Sequence, residues 1–179
     1  MEFIDLQKQY RELEKEINEG IKNVLEHGKY IMGPEVQQLE KELCNYTGSK
    51  YCLTCANGTD ALQMALMALD IGPGDAVFVP SFTFMSTAEV VNLVGATPVF
   101  ADIDLNSFNL DPESFEKAVK ETLSKGILKP KAVIPVDLFG QCADYEKIIP
   151  IAKKYGLFVI EDAAQGFGGS INGKMACSF

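Results

Sequence analysis

The sequence predicts an α/β fold built around a mostly parallel sheet. From Lys50 onward, short apolar runs alternate with segments of helical periodicity, which is the signature of right-handed βαβ units. A second indication is the apolar run 157–160, which lies between Gly156 and an acidic pair. Such a run is typical of a strand buried on both faces of a parallel sheet. With 179 residues, 47% of them hydrophobic, the chain is long enough for one sizeable core.

The charge and hydropathy of the chain exclude several classes of function. The formal net charge is -9, and basic runs interleaved with aromatics are absent, which argues against a nucleic-acid or anionic-membrane surface. No apolar stretch approaches the roughly 20 residues that span a bilayer, and the start of the chain does not resemble a signal peptide. We therefore expect a cytoplasmic protein whose partners are small molecules and its own copies.

Two amphipathic helices are predicted before the first strand. The first ends at Gly28, and its apolar positions keep helical spacing: Leu6, Tyr10, Leu13, Ile17, Ile21 and Leu25. The second begins at Pro34, because proline is favoured at the first helical position, and its apolar face consists of Val36, Leu39, Leu43 and Tyr46. We expect residues 1–47 to form a helical arm that packs on the main body or on a second subunit.

Five strands are predicted in the remainder, residues 48–179, which we interpret as one large domain. Each is followed by a helical pattern, and they lie near residues 51–54, 76–79, 98–101, 132–136 and 157–160. Ligands of open α/β sheets bind outside the carboxyl ends of the strands. The strand-to-helix junctions are therefore the expected position of a functional site.

The first junction leads into a helix that is apolar nearly all round and that we expect to be buried. Its amino end offers free backbone N–H groups to an anion, Gly58 allows close approach, and Thr59 adds a hydroxyl, so a phosphate could bind there. Asn57 and Asp60 also fit a simple capping arrangement, and both interpretations stay open. The segment matches neither Walker A nor G-x-G-x-x-G, which disfavours an ATPase or a dinucleotide dehydrogenase.

The second junction, which follows Pro80, places aromatic residues at the same edge of the sheet. Phe82 or Phe84 could stack on a planar ring, or both could belong to the core. Stacking gains support if a carboxylate and a phosphate cradle lie nearby, and Asp162 with the first junction would supply both. The hydroxyl groups of the segment are expected to cap the helix that follows.

The acidic pair Glu161 and Asp162 ends the last apolar run. Side chains alternate along a strand, so the two should face opposite ways and only one should reach a ligand. A carboxylate held at this place could pair with a cationic ring nitrogen. The alternative is that both residues simply cap the following turn.

No metal site is predicted. Four residues have EF-hand spacing, but Ser107 stands where that loop needs glycine: Asp102, Asp104, Asn106 and Glu113. Asp111 and Pro112 are instead expected to cap the next helix. The C-x-x-C pair at 52–55 has no second pair, so we interpret the five cysteines as structural thiols.

Together these segments resemble the nucleotide-sugar aminotransferases of the DegT family. The resemblance covers essentially the whole chain and rests on these motifs in this order: Phe3-Ile-Asp-Leu, Gly33-Pro-Glu, Ala56-Asn-Gly-Thr-Asp-Ala-Leu62, Pro80-Ser-Phe-Thr-Phe84, Ala101-Asp-Ile-Asp104, Leu138-Phe-Gly-Gln-Cys-Ala-Asp144 and Ile160-Glu-Asp-Ala-Ala-Gln165. It implies the three-layer α/β/α large domain of type I transferases dependent on pyridoxal 5'-phosphate (PLP), and a homodimer. It also implies glutamate as amino donor and a nucleotide-linked keto-sugar as acceptor.

The resemblance implies a role for each candidate site residue. Asp162 is expected to be the catalytic carboxylate that pairs with the pyridinium nitrogen of PLP. Phe84 would stack on the ring, Gly58 and Thr59 would hold the phosphate, and Gln165 would meet the ring hydroxyl. The choice between the two aromatics and the role of Gln165 rest on the resemblance alone.

Two departures from the family pattern limit what can be carried over. Many relatives have histidine where this chain has Asp137, so no contact of that histidine is assumed here. The lysine that bears PLP in relatives follows the turn at Lys174 and would come after Phe179, as would the small carboxyl-terminal domain. We therefore expect the amino-terminal portion of such an enzyme, incomplete at its carboxyl end and unable to turn over alone.

Two alternatives to the aminotransferase stay open. A PLP-dependent sugar dehydratase shares the framework but has histidine in place of the lysine, and a PLP-binding fragment without catalysis is the non-enzymatic alternative. Among aminotransferases, the segments 55–62 and 141–144 look most similar to enzymes that aminate C3 of a UDP-linked 3-keto uronic acid. We expect the function to lie in surface polysaccharide or amino-sugar biosynthesis.

Overall fold

The structure, a computed structural model, describes residues 4–179, so the motif that opens at Phe3 lies partly outside it. In chain order its helices and strands are α1 (Leu6–His27), α2 (Pro34–Thr47), α3 (Gly58–Ala68), β1 (Asp75–Pro80), α4 (Ser86–Leu93), β2 (Thr97–Ala101), α5 (Pro112–Lys125), β3 (Lys129–Val133), α6 (Tyr145–Tyr155), β4 (Phe158–Val159), β5 (Ser170–Ile171) and β6 (Lys174–Met175). None of the described helices is long and apolar enough to cross a membrane.

Four strands form a parallel sheet in the order β2-β1-β3-β4. The register along β1 and β2 runs from Ala76 opposite Thr97 to Pro80 opposite Ala101. Helices α4, α5 and α6 each follow a strand of this sheet. The strands β5 and β6 form a separate antiparallel hairpin. The parallel sheet confirms the predicted α/β class.

Alternating side chains of the central strands divide the core into two parts. On one face, Phe78 of β1 and Val133 of β3 pack with α5 and α6, which contribute Phe115, Tyr145 and Ile148. The residues on the other face pack β1 and β3 against α3 and α4: Val77, Val79, Ala132, Ile134, Leu62, Leu66, Val90 and Val91. Because successive strand residues point to opposite faces, the sheet lies between two helical layers, as predicted.

The prediction of a strand at residues 51–54 is wrong. This segment is irregular, and the side chains of Tyr51 and Leu53 are 79% and 80% exposed. The backbone N–H and the hydroxyl of Thr54 both donate to the Glu40 carboxylate of α2, each at 2.8 Å. The segment therefore pairs its polar groups with the arm instead of with the sheet.

The apolar run 157–160 also differs from its prediction. Its strand, β4, has two residues and lies at the edge of the described sheet, with Phe158 45% exposed, so it is not buried on both faces. Turns, and not a helix, connect it to β5. Helix α3 is likewise buried on one side only, by Leu62 and Leu66, while Met64 and Met67 are exposed.

Helix α1 stands apart from the core. It ends at Gly28, as predicted, because the left-handed backbone conformation of this glycine closes the last turn. None of its residues is buried, and its apolar stripe lies open. At its carboxyl end, His27 Nε2 lies 2.9 Å from Glu35 Oε1 of α2. The sequence predicted that this segment packs on the main body or on a second subunit. Within the described chain, α1 does not pack on the main body.

The packing of α5 yields a test of the core. Phe115 is fully buried, with its ring centroid 5.6 Å from that of Phe78 in an edge-to-face arrangement. We expect Phe115→Ala to lower the free energy of unfolding by about 3–5 kcal/mol, because the cavity cannot collapse between helix and sheet. Urea unfolding of the protein at its native length would measure this. Leu123→Ala, on the exposed side of the same helix, is the control and should change stability by about 0.5 kcal/mol at most.

Candidate functional site

A pocket of about 280 Å³ lies at the carboxyl ends of the strands, beside the amino ends of α3 and α4. All five predicted site residues line it: Gly58, Thr59, Phe84, Asp162 and Gln165. They come from three segments that are far apart in sequence and that the parallel sheet brings to one edge. The volume is close to the lower end of the range for small-molecule sites, about 300–1,000 Å³.

The amino end of α3 contains the predicted helix cap and also has backbone N–H groups that can bind an anion. Asn57 Oδ1 accepts the N–H of Asp60 at 2.9 Å, and Asn57 Nδ2 donates to Asp60 Oδ2 at 3.0 Å, so the capping arrangement is present. The Asp60 carboxylate is thereby held by the side chain of the capping residue Asn57. The backbone N–H groups of Gly58 and Thr59 have no acceptor in the described chain, and they remain available to an anion at the positive end of the helix dipole.

The two candidate aromatics have different surroundings. Phe82 packs with Phe108 and Phe139, with ring centroids 5.9 Å and 6.5 Å away. Phe84 lies outside this cluster, lines the pocket and is 74% exposed. Of the two aromatics, only Phe84 therefore lies where it can contact a ligand in the pocket.

Asp162 and Glu161 face opposite ways, as the alternation of side chains along a strand predicts. The Asp162 carboxylate lines the pocket and accepts two hydrogen bonds at 3.3 Å, from the Thr87 hydroxyl to Oδ2 and from the Ala164 N–H to Oδ1. Glu161 does not line the pocket, and its carboxylate accepts the N–H groups of Cys177 and Phe179 at 2.6 Å and 3.0 Å. Asp162 thus both reaches the pocket and caps the following turn, while Glu161 holds the segment after the hairpin.

The hydroxyl groups before α4 do not cap this helix, which corrects the prediction. The N-cap position is Met85, and it makes no side-chain hydrogen bond. Ser81 Oγ donates instead to Asp102 Oδ1 at 3.3 Å, and Thr87 donates to Asp162. The contact of Thr87 spans 75 residues of sequence, so no local pattern could have shown it.

Gln165 completes the polar side of the pocket. Its Oε1 accepts the backbone N–H of Phe139 at 2.8 Å. This bond orients the amide so that the Nε2 donors remain for a ligand, because a primary amide has one acceptor and two donors. An oxygen substituent on a bound ring would suit these donors.

A buried carboxyl pair lies behind the pocket, and sequence reasoning missed it. Asp137 is fully buried, and its Oδ1 accepts the N–H of Ala143 and the hydroxyl of Tyr145, each at 2.9 Å. Its Oδ2 has no hydrogen-bond partner in the described chain apart from the neighbouring Glu161 carboxyl. Burial raises the pKa of both Asp137 and Glu161. The nearby Asp137 charge raises the pKa of Glu161 further.

The backbone after Asp162 approaches this pair closely. A Cβ atom added at Gly166 would lie 2.5 Å from the Cβ of Asp137 and 2.7 Å from its Oδ2. Real Cβ atoms do not come so near, so glycine is required where this turn passes the buried carboxyl.

No group of three or more histidine, cysteine or acidic side chains suited to a metal ion occurs among residues 4–179. Of the residues with EF-hand spacing, Asp104 Oδ1 accepts the N–H groups of Asn106 and Ser107 in its own turn. Asp111 caps α5 through the N–H of Glu113, as predicted. A larger cleft of about 690 Å³ beside these residues contains none of the predicted site residues.

Comparison with known proteins gives consistent matches along the chain. The sequence profile of the DegT/DnrJ/EryC1/StrS aminotransferase family matches residues 11–179. The UDP-2-acetamido-2-deoxy-3-oxo-D-glucuronate aminotransferase of Pseudomonas aeruginosa is 53% identical over 178 residues, which make up 99% of this chain and 48% of that protein. This chain therefore spans about half the length of the relative.

Solved structures agree with the sequence matches. The crystal structure of a DegT DnrJ EryC1 StrS aminotransferase from Brucella abortus has a TM-score of 0.97 and 55% identity, covering 98% of this chain and 47% of that one. The E. coli GDP-4-keto-6-deoxy-D-mannose-3-dehydratase, solved with bound hydrated PLP, has a TM-score of 0.81 and 28% identity. It covers 90% of this chain and 41% of its own.

The buried carboxyl pair makes stability depend on pH. Because the pKa of each group is raised in the folded protein, the contribution of the pair to stability is present below the ordinary values of 3.8 and 4.5 and is lost as pH rises above them. Asp137→Asn keeps the shape without the titratable carboxyl, and the slope of unfolding free energy against pH should become less negative, by at most about 1.4 kcal/mol per pH unit. Urea unfolding at several pH values would measure this slope.

Asp104→Asn provides a control of opposite sign. Hydrogen bonds from Ser107 lower the pKa of Asp104, so its contribution to stability is present above the ordinary value of 3.8 and is lost as pH falls. This variant should therefore lose stability at neutral pH and none in acid. An Asp137→Asn variant whose stability follows the wild-type pH slope would contradict the raised pKa of the buried pair.

Proposed function

Because this chain belongs to the DegT/DnrJ/EryC1/StrS aminotransferase family, we propose that it is the cofactor-binding part of a PLP-dependent nucleotide-sugar aminotransferase. The observation that carries the proposal is the single pocket in which an anion cradle, a ring face, a carboxylate and an amide converge. The comparisons confirm the family predicted from the motifs.

The residues of the pocket fit PLP in chemical type. The free N–H groups of Gly58 and Thr59 suit the phosphate, and the ring face of Phe84 suits the flat pyridine. The Asp162 carboxylate suits the ring nitrogen, and the Gln165 amide suits the ring hydroxyl. The E. coli relative solved with PLP has the same fold, which supports the choice of cofactor.

Each residue has a physical task in this proposal. When bound, PLP supplies an electron-withdrawing ring that lets an amino group pass between donor and acceptor. Asp162, as an anion, favours a proton on the ring nitrogen, and this keeps the ring electron-withdrawing. Gly58 and Thr59 anchor the phosphate, Phe84 fixes the plane of the ring, and Gln165 fixes its rotation within that plane.

We propose glutamate as the amino donor and a UDP-linked 3-keto uronic acid as the acceptor. The support is the Pseudomonas aeruginosa relative, whose name specifies a UDP-linked 3-oxo-glucuronate and whose sequence matches 99% of this chain at 53% identity. In this proposal the product enters surface polysaccharide or amino-sugar biosynthesis, and the enzyme acts in the cytoplasm.

A sugar dehydratase is the second candidate, because the E. coli dehydratase shares the fold at 28% identity. The identity to the Pseudomonas aminotransferase is much higher, and this favours transamination. The two activities differ in their need for a donor. The protein at its native length, incubated with PLP, glutamate and the UDP-linked 3-keto sugar, should release 2-oxoglutarate in step with amino-sugar formation. Sugar dehydration without 2-oxoglutarate would overturn the aminotransferase proposal.

A variant of Asp162 tests the role of the pocket. We expect Asp162→Asn to lower kcat at least about 100-fold, because the neutral amide no longer favours a proton on the ring nitrogen. Steady-state release of 2-oxoglutarate measures the effect. Glu89→Gln, an exposed position on α4 outside the pocket, is the control and should keep wild-type activity. Equal activity of the two variants would argue against the proposed site.

We further propose that a second copy of the protein covers the apolar stripe of α1. The stripe runs along a helix of 22 residues, and its central side chains Leu13 and Ile17 are 41% and 38% exposed within this chain. A contiguous apolar face of this kind is rare on a monomer. The homodimer implied by the family pattern would bury it.

A charge placed in the stripe tests this assembly. Ile17→Glu should weaken the dimer at least about 10-fold, since burial of an unpaired carboxylate is costly. Sedimentation velocity over a range of protein concentrations would measure the shift toward monomer. Asn23→Glu adds the same charge on the polar side of α1 and should leave the dimer unchanged. A monomeric wild-type protein would refute the assembly.

A further inference from the structure

Thr87 places a buried hydroxyl against the pocket carboxylate. The residue lies in the first turn of α4 and is fully buried, and its Oγ1 donates to Asp162 Oδ2 at 3.3 Å. Its hydroxyl makes no other hydrogen bond within residues 4–179. A buried hydroxyl loses free energy when it lacks a partner, so this contact stabilises a single arrangement of the two side chains.

Other buried helical threonines of this chain behave differently. Thr47 and Thr122 turn their hydroxyls back onto their own helices and donate to the carbonyl oxygens of Leu43 and Ala118, at 2.9 Å and 2.8 Å. This local bond is the common solution for threonine in a helix. Thr87 instead donates to a side chain of a different segment, Asp162. The Thr87 hydroxyl is therefore directed to the carboxylate and not to a carbonyl oxygen of its own helix.

The other contacts of Asp162 fix its backbone and one carboxylate oxygen, and Thr87 fixes the second oxygen. The backbone of Asp162 is fixed by its N–H, which donates to Pro135 O at 3.0 Å, and by its carbonyl, which accepts the N–H of Asp137 at 2.9 Å. The Ala164 N–H holds Oδ1 from the same segment. Thr87 holds Oδ2 from α4, and the two contacts together restrict rotation of the carboxylate.

We propose that Thr87 is a positioning residue, which orients the Asp162 carboxylate toward the ring nitrogen of PLP. The inference rests on the proposed function, since it assigns the pocket to PLP. A carboxylate held in one orientation at both oxygens is what a directed contact with a ring nitrogen requires. Thr87 itself does not touch the cofactor.

The test compares PLP with its 1-deaza analogue, in which a carbon replaces the ring nitrogen. We expect Thr87→Val to weaken the binding of PLP to the protein at its native length by about 3- to 10-fold, the value of one hydrogen bond to a charged group at a long distance. Binding of the analogue, which has no ring nitrogen for Asp162 to pair with, should change less than 2-fold, or about 0.4 kcal/mol. Fluorescence titration yields both dissociation constants.

Two further variants separate positioning from packing. Thr87→Ser retains the hydroxyl and should restore PLP binding to within about 2-fold of wild type. In an Asp162→Asn background, Thr87→Val should cause no selective loss of PLP over the analogue, because the two residues act as one unit. Thr87→Ala repeats the comparison if the valine variant does not fold, which circular dichroism would show.

The outcomes distinguish the two levels of the proposal. If the wild-type protein binds no PLP, the proposed function fails and this inference fails with it. If the wild type binds PLP but Thr87→Val weakens PLP and the analogue equally, Thr87 is only a packing residue and this inference alone is overturned. Unchanged binding of both ligands would overturn it as well.

Discussion

The site depends on hydrogen bonds that continue the parallel pairing beyond the regular strands. Val136 and Asp162 form a parallel bridge, in which Asp162 donates to Pro135 O and accepts from the Asp137 N–H. Because side chains alternate along paired strands, this register directs Asp162 to the pocket and Glu161 to the buried side. A slip of one residue would exchange the two carboxylates. The position of the candidate catalytic group is therefore a property of backbone pairing, before any ligand is considered.

The pocket is assembled from the ends of elements whose interiors serve the core. Helix α3 buries Leu62 and Leu66 against the sheet, and this packing brings its uncapped N–H groups to the strand ends. Helix α4 buries Val90 and Val91 in the same way and thereby places its first turn beside Asp162. Helices α3 and α4 thus support two of the lining segments, and the paired backbone supports Asp162. Such support suits a site that must fix a flat ring in one plane.

Local patterns in the sequence were sufficient for the elements that are governed by local physics. Helical spacing together with Pro34 and Gly28 predicted helices α1 and α2, and continuous apolar runs predicted β1 and β2. An apolar run alone does not distinguish a central strand from an edge strand, and this is why β4 was predicted to be buried on both faces. The strand-to-helix junctions and the acidic pair predicted Gly58, Thr59 and Asp162, and the family resemblance added Gln165 and the choice of Phe84 over Phe82. The contacts of Thr87 with Asp162 and of Asp137 with Glu161 join distant segments, and no periodicity encodes them.

The close approach of Gly166 to Asp137 has a consequence for sequence variation. A methyl group at 166 and the carboxyl at 137 would occupy the same space, since the added Cβ would lie 2.5 Å from the Cβ of Asp137. A change at 166 is thus acceptable only after the backbone of its turn has moved, and that turn also carries the neighbouring Gln165. The two positions should consequently evolve as an epistatic pair, in which the buried acid and the geometry of the pocket rim are inherited together.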